Sequence, residues 1–238
     1  MTQQSGEVRD SAQPRWTLWY QDAAARMFAV SEGVRRRVMN AGDLADYVGW
    51  LQENFDKVPR FRSREQLWEV MSTHLSPARP ALGLEFGVAW GYATDWWTRR
   101  LKGRELEWHA FDRFTGLPRA WRDHGAGTFD NAGVPPPVTD DRIQWHVGDV
   151  EETIEDTPLE SVRAAQVVML FDLDIYEPSA IAWRYTKNSL KSGDLLYFDE
   201  SYDNDERRLL TEDILPSGRF TCLGCTPLSL ALRVDQLD

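Results

Sequence analysis

The sequence predicts an α/β fold: a Rossmann-like, doubly wound and mostly parallel sheet with a C-terminal antiparallel hairpin and an N-terminal helical cap. Three observations support this class. Apolar segments alternate with helical segments after residue 80, the first of them passes through a glycine-spaced turn into a helix, and each ends close to an acidic residue. Alternating strands and helices of this kind are typical of a mostly parallel sheet covered on both faces.

The chain divides into three predicted parts. Residues 1–13 are polar and are predicted to form a disordered tail, 14–76 a helical cap, and 77–238 the main domain. Within the cap, Asp43 and Ser63 are candidate N-caps because their side chains can accept the free N–H groups of a first helical turn. Helices are predicted at 17–37, 43–55 and 63–75.

The main domain has a regular rhythm with one interruption. Strands are predicted at 81–88, 105–111, 142–148, 166–172 and 194–199, and helices at 91–101, 150–156, 178–190 and 204–214. Residues 220–234 are predicted to form two strands about a turn near Gly224 to Pro227. The interruption runs from Arg113 to Asp140, is rich in Gly and Pro, and lacks periodicity. A loop this long inside a compact domain is usually functional, so a lid or binding loop is expected.

Charge and composition exclude several classes of partner. A net charge of −11 over 238 residues argues against nucleic acid or an anionic membrane as the main partner. No apolar run approaches the roughly 20 residues of a membrane span. The first residues lack an apolar signal core, so a cytoplasmic protein is expected. Cys222 and Cys225 have no second pair to complete a zinc site, and we interpret them as small residues of the C-terminal hairpin.

The ends of the first three strands predict a nucleotide-like ligand site, because ligands of such sheets bind beyond the carboxyl ends of the strands. Glu85, Gly87 and Gly91 form an E-x-G-x-x-x-G turn in which glycine allows close backbone approach and the next helix offers free N–H groups. Asp112 can accept hydrogen bonds from both ribose hydroxyls of an adenosine. Asp149 is well placed to approach an adenine edge.

The ends of the fourth and fifth strands concentrate negative charge. Asp172, Asp174, Asp199 and Glu200 would repel one another unless a cation or protons lie among them, and hard divalent ions prefer such oxygen ligands. We predict a metal site at Asp172, Asp199 and Glu200, with Asp174 supporting the turn; the alternative is that one or two of these acids cap helices. His124, in the long loop, is a candidate general base, the alternative being a solvent-exposed histidine.

Several familiar nucleotide and hydrolase motifs are missing. No Walker lysine follows the glycines, which excludes a P-loop, and no G-x-S-x-G nucleophile elbow occurs. Four blocks nevertheless stand in order: LEFGV at 84–88, FDRFTGLP at 111–118, FDLDIYEP at 171–178, and LKSG to FDE over 190–200. Together they resemble the class I S-adenosylmethionine-dependent methyltransferases. The nearest resemblance is to the macrocin O-methyltransferase-like group of natural-product sugar and polyol O-methyltransferases, and it covers about residues 81–234.

The resemblance implies a role for each strand-end residue. Glu85, Gly87 and Gly91 would shape the methionine end of the cofactor pocket, Asp112 would hold the ribose, Asp149 would lie near the adenine, and Asp172, Asp199 and Glu200 would bind magnesium. The chain departs from the family pattern in three places. Asp-Glu at 199–200 stands where relatives often show Asp-Asp or Asp-Asn, Arg113 replaces a small residue, and Lys-Ser-Gly at 191–193 replaces the commoner Pro-Gly-Gly.

The predicted reaction is methyl transfer from S-adenosylmethionine to a hydroxyl of a small molecule, assisted by a divalent ion. Asp172 and His124 are the candidate catalytic residues, and the long loop with Trp121 would close over the acceptor. The alternatives are a metal-independent methyltransferase with a histidine base, a nicotinamide-dependent oxidoreductase, and a non-catalytic Rossmann-like binding or assembly protein. Sugar, polyketide, aromatic diol and amine acceptors all remain open. Exposed tryptophans among the first helices would suit a homodimer.

Overall fold

A computed structural model describes residues 32–122, 124–155, 157 and 165–238. The chain forms two compact units, Met1–Asp46 and Tyr47–Asp238. The described part of the first unit is helical, and the second unit holds the sheet and every residue of the site described below. The predicted tail over residues 1–13 lies outside the described residues, and the predicted domain boundary after residue 76 stays a prediction.

The elements follow the predicted alternation of strands and helices. In chain order they are α1 (Glu32–Asn54), α2 (Arg64–Thr73), β1 (Ala81–Phe86), α3 (Tyr92–Arg100), β2 (Leu106–Asp112), β3 (Ile143–Val147), α4 (Val150–Ile154), β4 (Gln166–Phe171), α5 (Tyr176–Thr186), β5 (Leu195–Phe198), α6 (Asn204–Arg208), β6 (Gly218–Cys225) and β7 (Leu230–Leu237). Short 3-10 turns at Lys187–Ser189 and Leu215–Ser217 and a π-helical turn at Leu209–Ile214 complete the set.

The strands form a seven-stranded sheet in the order β3-β2-β1-β4-β5-β7-β6. Strands β1 to β5 are mutually parallel, and β7 pairs antiparallel with both β5 and β6. The predicted fold class and the closing hairpin are therefore confirmed. The strand order reverses between β1 and β4, which makes the carboxyl ends of these two strands the expected ligand position.

Both faces of the sheet are covered, so its central strands are buried and mostly apolar, with Glu85 in β1 and Gln166 in β4 as the polar exceptions. Every residue of β1 and β4 is buried. Trp97 of α3 and Trp68 of α2 pack on one face, and Trp183 of α5 packs on the other. Gly83 in β1 makes room for an indole, because a Cβ there would lie 2.0 Å from the Trp108 ring. Together these contacts anchor the helices that flank the rim of the sheet.

Three helix predictions need correction. Asp43 does not begin a helix but lies inside α1, since no proline interrupts the segment and isolated glycines are tolerated in helices. Helix α5 begins at Tyr176, two residues before Pro178, because a proline in the first helical turn loses no intrahelical hydrogen bond. The helix predicted over 204–214 changes at Leu209 from α-helical to π-helical geometry.

Other sequence expectations have simple outcomes. Ser63 caps α2 as predicted, accepting the backbone N–H of Gln66 at 3.4 Å. Cys222 and Cys225 are free cysteines in β6, and burial raises the pKa of both thiols. Among the described residues, no helix is long and apolar enough to cross a membrane. In the helices before β1, Trp68 is buried and Trp50 partly buried, so the homodimer stays a prediction.

Candidate functional site

A cavity of about 500 Å³ opens at the reversal point of the sheet, beyond the carboxyl ends of the parallel strands. The carboxylates predicted at five successive strand ends all line it: Glu85, Asp112, Asp149, Asp172 and Asp199. Gly87 and Glu200 line it as well. The structure thus brings the strand-end residues together as expected, and their individual roles remain proposals.

A row of stacked rings lies directly beneath this rim. Ring centroids are 4.2 Å apart for His146 and Phe111, 4.9 Å for Phe111 and Phe86, 5.7 Å for Phe86 and Phe171, and 5.1 Å for Phe171 and Phe198. The five residues are paired in register across neighbouring strands. Aromatic pairs of this kind stabilise by roughly 0.5–1.5 kcal/mol beyond their burial. The row therefore gives the rim a firm base that reaches from β3 to β5.

The loop after β1 packs against the end of β4 without space for side chains. Gly87 has φ +88°, and a Cβ there would lie 1.9 Å from the carbonyl oxygen of Asp172. Ala89 also has a positive φ of 46°, which is costly for a residue with a Cβ. Gly91 has φ +74° at the N-cap of α3, but it lines a smaller neighbouring cavity and not the main one. Trp90 borders both cavities.

Asp112 fixes the same loop from the neighbouring strand. Its Oδ2 accepts the backbone N–H groups of Val88 and Ala89, each at 2.8 Å, and its Oδ1 accepts that of Phe114 at 2.7 Å. An ionised carboxylate has about four acceptor sites, so Asp112 can accept a further donor from the cavity. The residue therefore holds the loop in place and still faces the ligand space.

Glu85 is a buried carboxylate with an incomplete set of partners. Its Oε2 accepts the Thr94 hydroxyl at 2.8 Å and the Trp108 indole N–H at 2.7 Å. Its Oε1 is buried and, within the described part of the chain, has no hydrogen-bond partner. Burial raises the pKa of Glu85 to about 7. Since a buried unpaired oxygen is costly, this atom indicates a site for a ligand cation or donor.

Asp149 is the most exposed of the predicted cofactor residues. It occupies the N-cap of α4 without a side-chain capping bond, and its Oδ1 lies 3.0 Å from Nε of Arg113. Arg113, which stands where relatives carry a small residue, thus forms part of the cavity wall beside Asp149. A guanidinium and a carboxylate side by side can contact the edge and the face of a flat ring.

The acidic side chains near β4 and β5 raise one another's pKa values. Burial, assisted by neighbouring carboxylates, raises the pKa of Asp172 well above its usual range. The same causes raise the pKa of Asp174 to about 7 and that of Glu200 to about 8. Asp174 also has a positive φ of 61°, consistent with the predicted role in the turn. These side chains and Asp199 form an acidic cluster at one end of the cavity.

Both oxygens of Asp199 are already engaged. Oδ1 accepts the Tyr197 hydroxyl at 2.5 Å, and Oδ2 lies 3.4 Å from Nη1 of Arg64. Among the residues that the structure describes, no group of three or more His, Cys, Asp or Glu side chains is arranged to hold a metal ion. The three predicted magnesium ligands thus line one cavity, but in this arrangement they do not fit a metal ion.

The long loop from residue 113 to 140 folds back on itself over the rim. Leu117 exchanges backbone hydrogen bonds with Thr128 and Gly127, and it packs with Trp121 and Ile175 in a small apolar cluster. His124 is exposed and stacks on Trp121 with ring centroids 5.7 Å apart. His124 does not line the main cavity in this conformation, so its role as a base stays a prediction.

Two residues near the acidic cluster were missed from sequence. Arg64 borders the cavity. Glu206 is buried behind the cluster, where its Oε2 accepts the backbone N–H of Glu200 at 3.0 Å. Glu206 stands three residues after the N-cap Asp203, where an acid usually faces solvent or the cap, so its position does not predict burial. The sequence offered no signal for Arg64 either, because its partner Asp199 is 135 residues away.

Comparisons with known proteins address the fold. No protein-family model matches the chain, and no curated protein matches it. Among solved structures it is similar to CalS11, described as a calicheamicin methyltransferase, with 19% identity, coverage of 97% of this chain and 99% of that chain, and a TM-score of 0.56. An apo structure of CalS11, described as a TDP-rhamnose 3'-O-methyltransferase in calicheamicin biosynthesis, has 20% identity, coverage of 72% and 81%, and a TM-score of 0.50. The chain therefore has the Rossmann-like fold that this methyltransferase uses.

Proposed function

We propose that this protein is an S-adenosylmethionine-dependent O-methyltransferase acting on a hydroxyl group of a small molecule. The observation that carries the proposal is the unpartnered Oε1 of Glu85, buried at the reversal point of the sheet beside the glycine loop. A ligand with a cationic amine would complete its contacts. The residue blocks that resemble methyltransferases and the fold shared with CalS11 support the same conclusion.

Each end of the cofactor matches a feature of the cavity. The carboxylate of Glu85 suits the ammonium group of the methionine end, and Gly87 allows the loop beside it to pack against the backbone of Asp172. Asp112 suits the ribose hydroxyls, and Asp149 with Arg113 suits the adenine. When bound, this cofactor supplies a methyl group activated by a sulfonium sulfur.

The contribution of the protein to catalysis is positioning and proton removal. Methyl transfer is an in-line displacement, so holding donor and acceptor in line supplies much of the rate enhancement. Asp172 lines the cavity, and burial among other acids makes it a stronger base than an ordinary aspartate. We assign Asp172 to accept the proton of the attacking hydroxyl. His124 remains the alternative base and would need the long loop to change conformation.

Magnesium was also predicted from the sequence, at Asp172, Asp199 and Glu200. The observed arrangement does not support this part of the prediction, because Asp199 is held by Arg64 and Tyr197. We therefore derive no step through a metal ion. Activity that survives excess chelator would agree with the arrangement, and activity lost in chelator and restored by magnesium would favour the original prediction.

For the acceptor we favour a sugar or polyol. The support comes from the resemblance to sugar O-methyltransferases and from the description of CalS11 as acting on TDP-rhamnose. The long loop borders the cavity through Gly116, Leu117, Pro118 and Phe129, which gives the acceptor end an apolar lip. Specificity between acceptors would lie in this loop.

Calorimetric titration with S-adenosylhomocysteine tests the proposed function directly. We expect micromolar binding by the wild type, loss of binding in Asp112→Ala, and unchanged binding in Asp141→Ala, an exposed aspartate outside the cavity. Thermal unfolding of each variant checks that it folds. Titration with NAD in parallel tests the oxidoreductase alternative. Absence of S-adenosylhomocysteine binding by folded wild-type protein would contradict the methyltransferase proposal and favour a non-catalytic role.

A further inference from the structure

Arg64 lies at the boundary between helix α2 and the acidic end of the cavity. It is the first residue of α2, it lines the cavity, and its Nη1 is 3.4 Å from Oδ2 of Asp199. Its side chain is 38% exposed and that of Asp199 is 16% exposed. The pair therefore lies at the cavity wall, and the carboxylate of Asp199 is less exposed to solvent than the guanidinium of Arg64.

Helix stability does not account for an arginine at this position. A cation in the first turn of a helix opposes the helix dipole, which favours acidic residues there. The arginine is instead held by two aromatic rings: its guanidinium carbon lies 4.7 Å from the centroid of Tyr92 and 5.4 Å from that of Trp68. Tyr92 is itself fixed by a 2.8 Å hydrogen bond to Glu65. These contacts hold the positive charge at the cavity wall before any ligand binds.

The same pair explains why the predicted metal ligands do not form a metal site. With Oδ1 of Asp199 bound to Tyr197 and Oδ2 facing Arg64, a divalent ion would have to displace a guanidinium to reach this carboxylate. It would also have to approach a fixed positive charge at close range. Both effects oppose binding of a second cation.

We propose that Arg64 is a permanent positive charge at the end of the cavity that would bind the acceptor, beside Asp199, and that it takes the place of a divalent ion there. The inference rests on the proposed function. The guanidinium pairs with Asp199 and, as part of the cavity wall, offers N–H donors to the oxygen atoms of an acceptor. Arginine is suited to this task because it stays charged and presents several donors in a fixed plane.

Magnesium binding alone tests the inference without a known acceptor. The experiment titrates MgCl₂ into wild type, Arg64→Met, which keeps the length of the side chain without its charge, and Arg99→Met. Arg99 is a matched control because it is 79% exposed and paired with Asp95 outside the main cavity. We expect weak Mg²⁺ binding in wild type and in Arg99→Met, and binding at least about tenfold tighter in Arg64→Met, where Asp199 becomes available and a repelling charge is lost.

The outcomes separate this inference from the proposed function. Equal Mg²⁺ affinity in wild type and Arg64→Met would overturn the inference. If Arg64→Met does not fold, Arg64→Gln replaces it: glutamine removes the charge but keeps a polar side chain, and Mg²⁺ should again bind at least about tenfold more tightly than in wild type. Binding of S-adenosylhomocysteine should be equal in wild type and Arg64→Met. If neither wild type nor the variants bind S-adenosylhomocysteine, the methyltransferase proposal is contradicted, while the comparison of Mg²⁺ affinities remains valid.

Discussion

Oδ2 of Asp112 accepts the backbone N–H of Val88 at 2.8 Å, so the last residue of β2 holds the loop that follows β1. The same oxygen accepts the N–H of Ala89, whose φ is positive. The carboxylate that would bind the ribose thus also shapes the glycine loop. Under the proposed function, cofactor affinity and loop conformation would be coupled through one side chain.

Replacing Asp112 with alanine should cost stability as well as binding. Three backbone N–H groups lose their acceptor, and because a charged hydrogen bond contributes more than a neutral one, we expect a loss of about 2–4 kcal/mol in the free energy of unfolding. Asp112→Asn keeps one acceptor oxygen and should lose about half as much. Urea unfolding of both variants measures the difference. An unfolding free energy unchanged in Asp112→Ala would mean that the loop does not depend on this residue.

Gly87 and Gly103 provide a matched pair for separating steric clash from backbone strain. Both have positive φ, +88° and +81°, but a Cβ at Gly87 would lie 1.9 Å from the Asp172 carbonyl oxygen while one at Gly103 would meet nothing within 4 Å. Gly103→Ala should therefore lower the free energy of unfolding by about 1 kcal/mol, and Gly87→Ala should lower it by at least about 3 kcal/mol. Chemical denaturation of the two variants gives both values. Equal losses of unfolding free energy would show that the backbone near Gly87 and Asp172 can move apart at little cost.

Glu85→Gln tests the buried carboxylate without removing its hydrogen-bond acceptor. The amide oxygen can still accept from Thr94 and Trp108, so the variant should fold and should be at least as stable as wild type at pH 8. It loses the negative charge that the cofactor ammonium would face, and S-adenosylhomocysteine should bind about 10–100-fold more weakly. Calorimetry at pH 8 measures this change. Wild-type affinity in Glu85→Gln would remove Glu85 from the cofactor site.

Stability should fall as pH rises above 6.5. The pKa values of Glu85 and Asp174 are raised to about 7 and that of Glu200 to about 8, so the folded protein binds protons that the unfolded chain has already released. Each such group lowers the free energy of unfolding by up to about 1.4 kcal/mol per pH unit between its unfolded and folded pKa.

The histidines make stability rise with pH, opposite to the acids, and they do so at lower pH. Burial lowers the pKa of His146 to about 4 and also lowers that of His109, so their contribution to stability is gained as pH rises towards 6.5 and is constant above it. Thermal unfolding measured from pH 6.5 to 8.5 therefore isolates the acids. The decline in melting temperature should be shallower in Glu200→Gln, and a flat wild-type profile would contradict the raised pKa values.

The sequence predicted the fold and the members of the rim because both depend on local pattern. The boundaries of the five parallel strands were placed within two residues, and the strand-end acids meet because parallel strands carry their carboxyl ends to one edge. Partner choice could not be predicted. The contact of Asp199 with Arg64 joins segments 135 residues apart, so it depends on how distant parts of the chain pack. The burial of Glu206 beside Glu200 and the stacking of His124 on Trp121 depend on the conformation of irregular local segments, which has no periodic pattern in the sequence. The three residues predicted to bind magnesium line one cavity, but their hydrogen-bond and charge partners could not be predicted, and the magnesium site is not supported.

The row of stacked rings beneath the rim has a consequence for the size of what the protein can bind. Asp112 at the end of β2 and Asp199 after β5 are three strands apart in the order β2-β1-β4-β5, a span of about 14 Å at the usual strand spacing. Because the stacked rings hold these strands side by side, we expect the distance between the two carboxylates to stay constant. The sheet cannot widen to accept a longer pair of ligands, so a difference in acceptor size must be accommodated by the loop over residues 113–140.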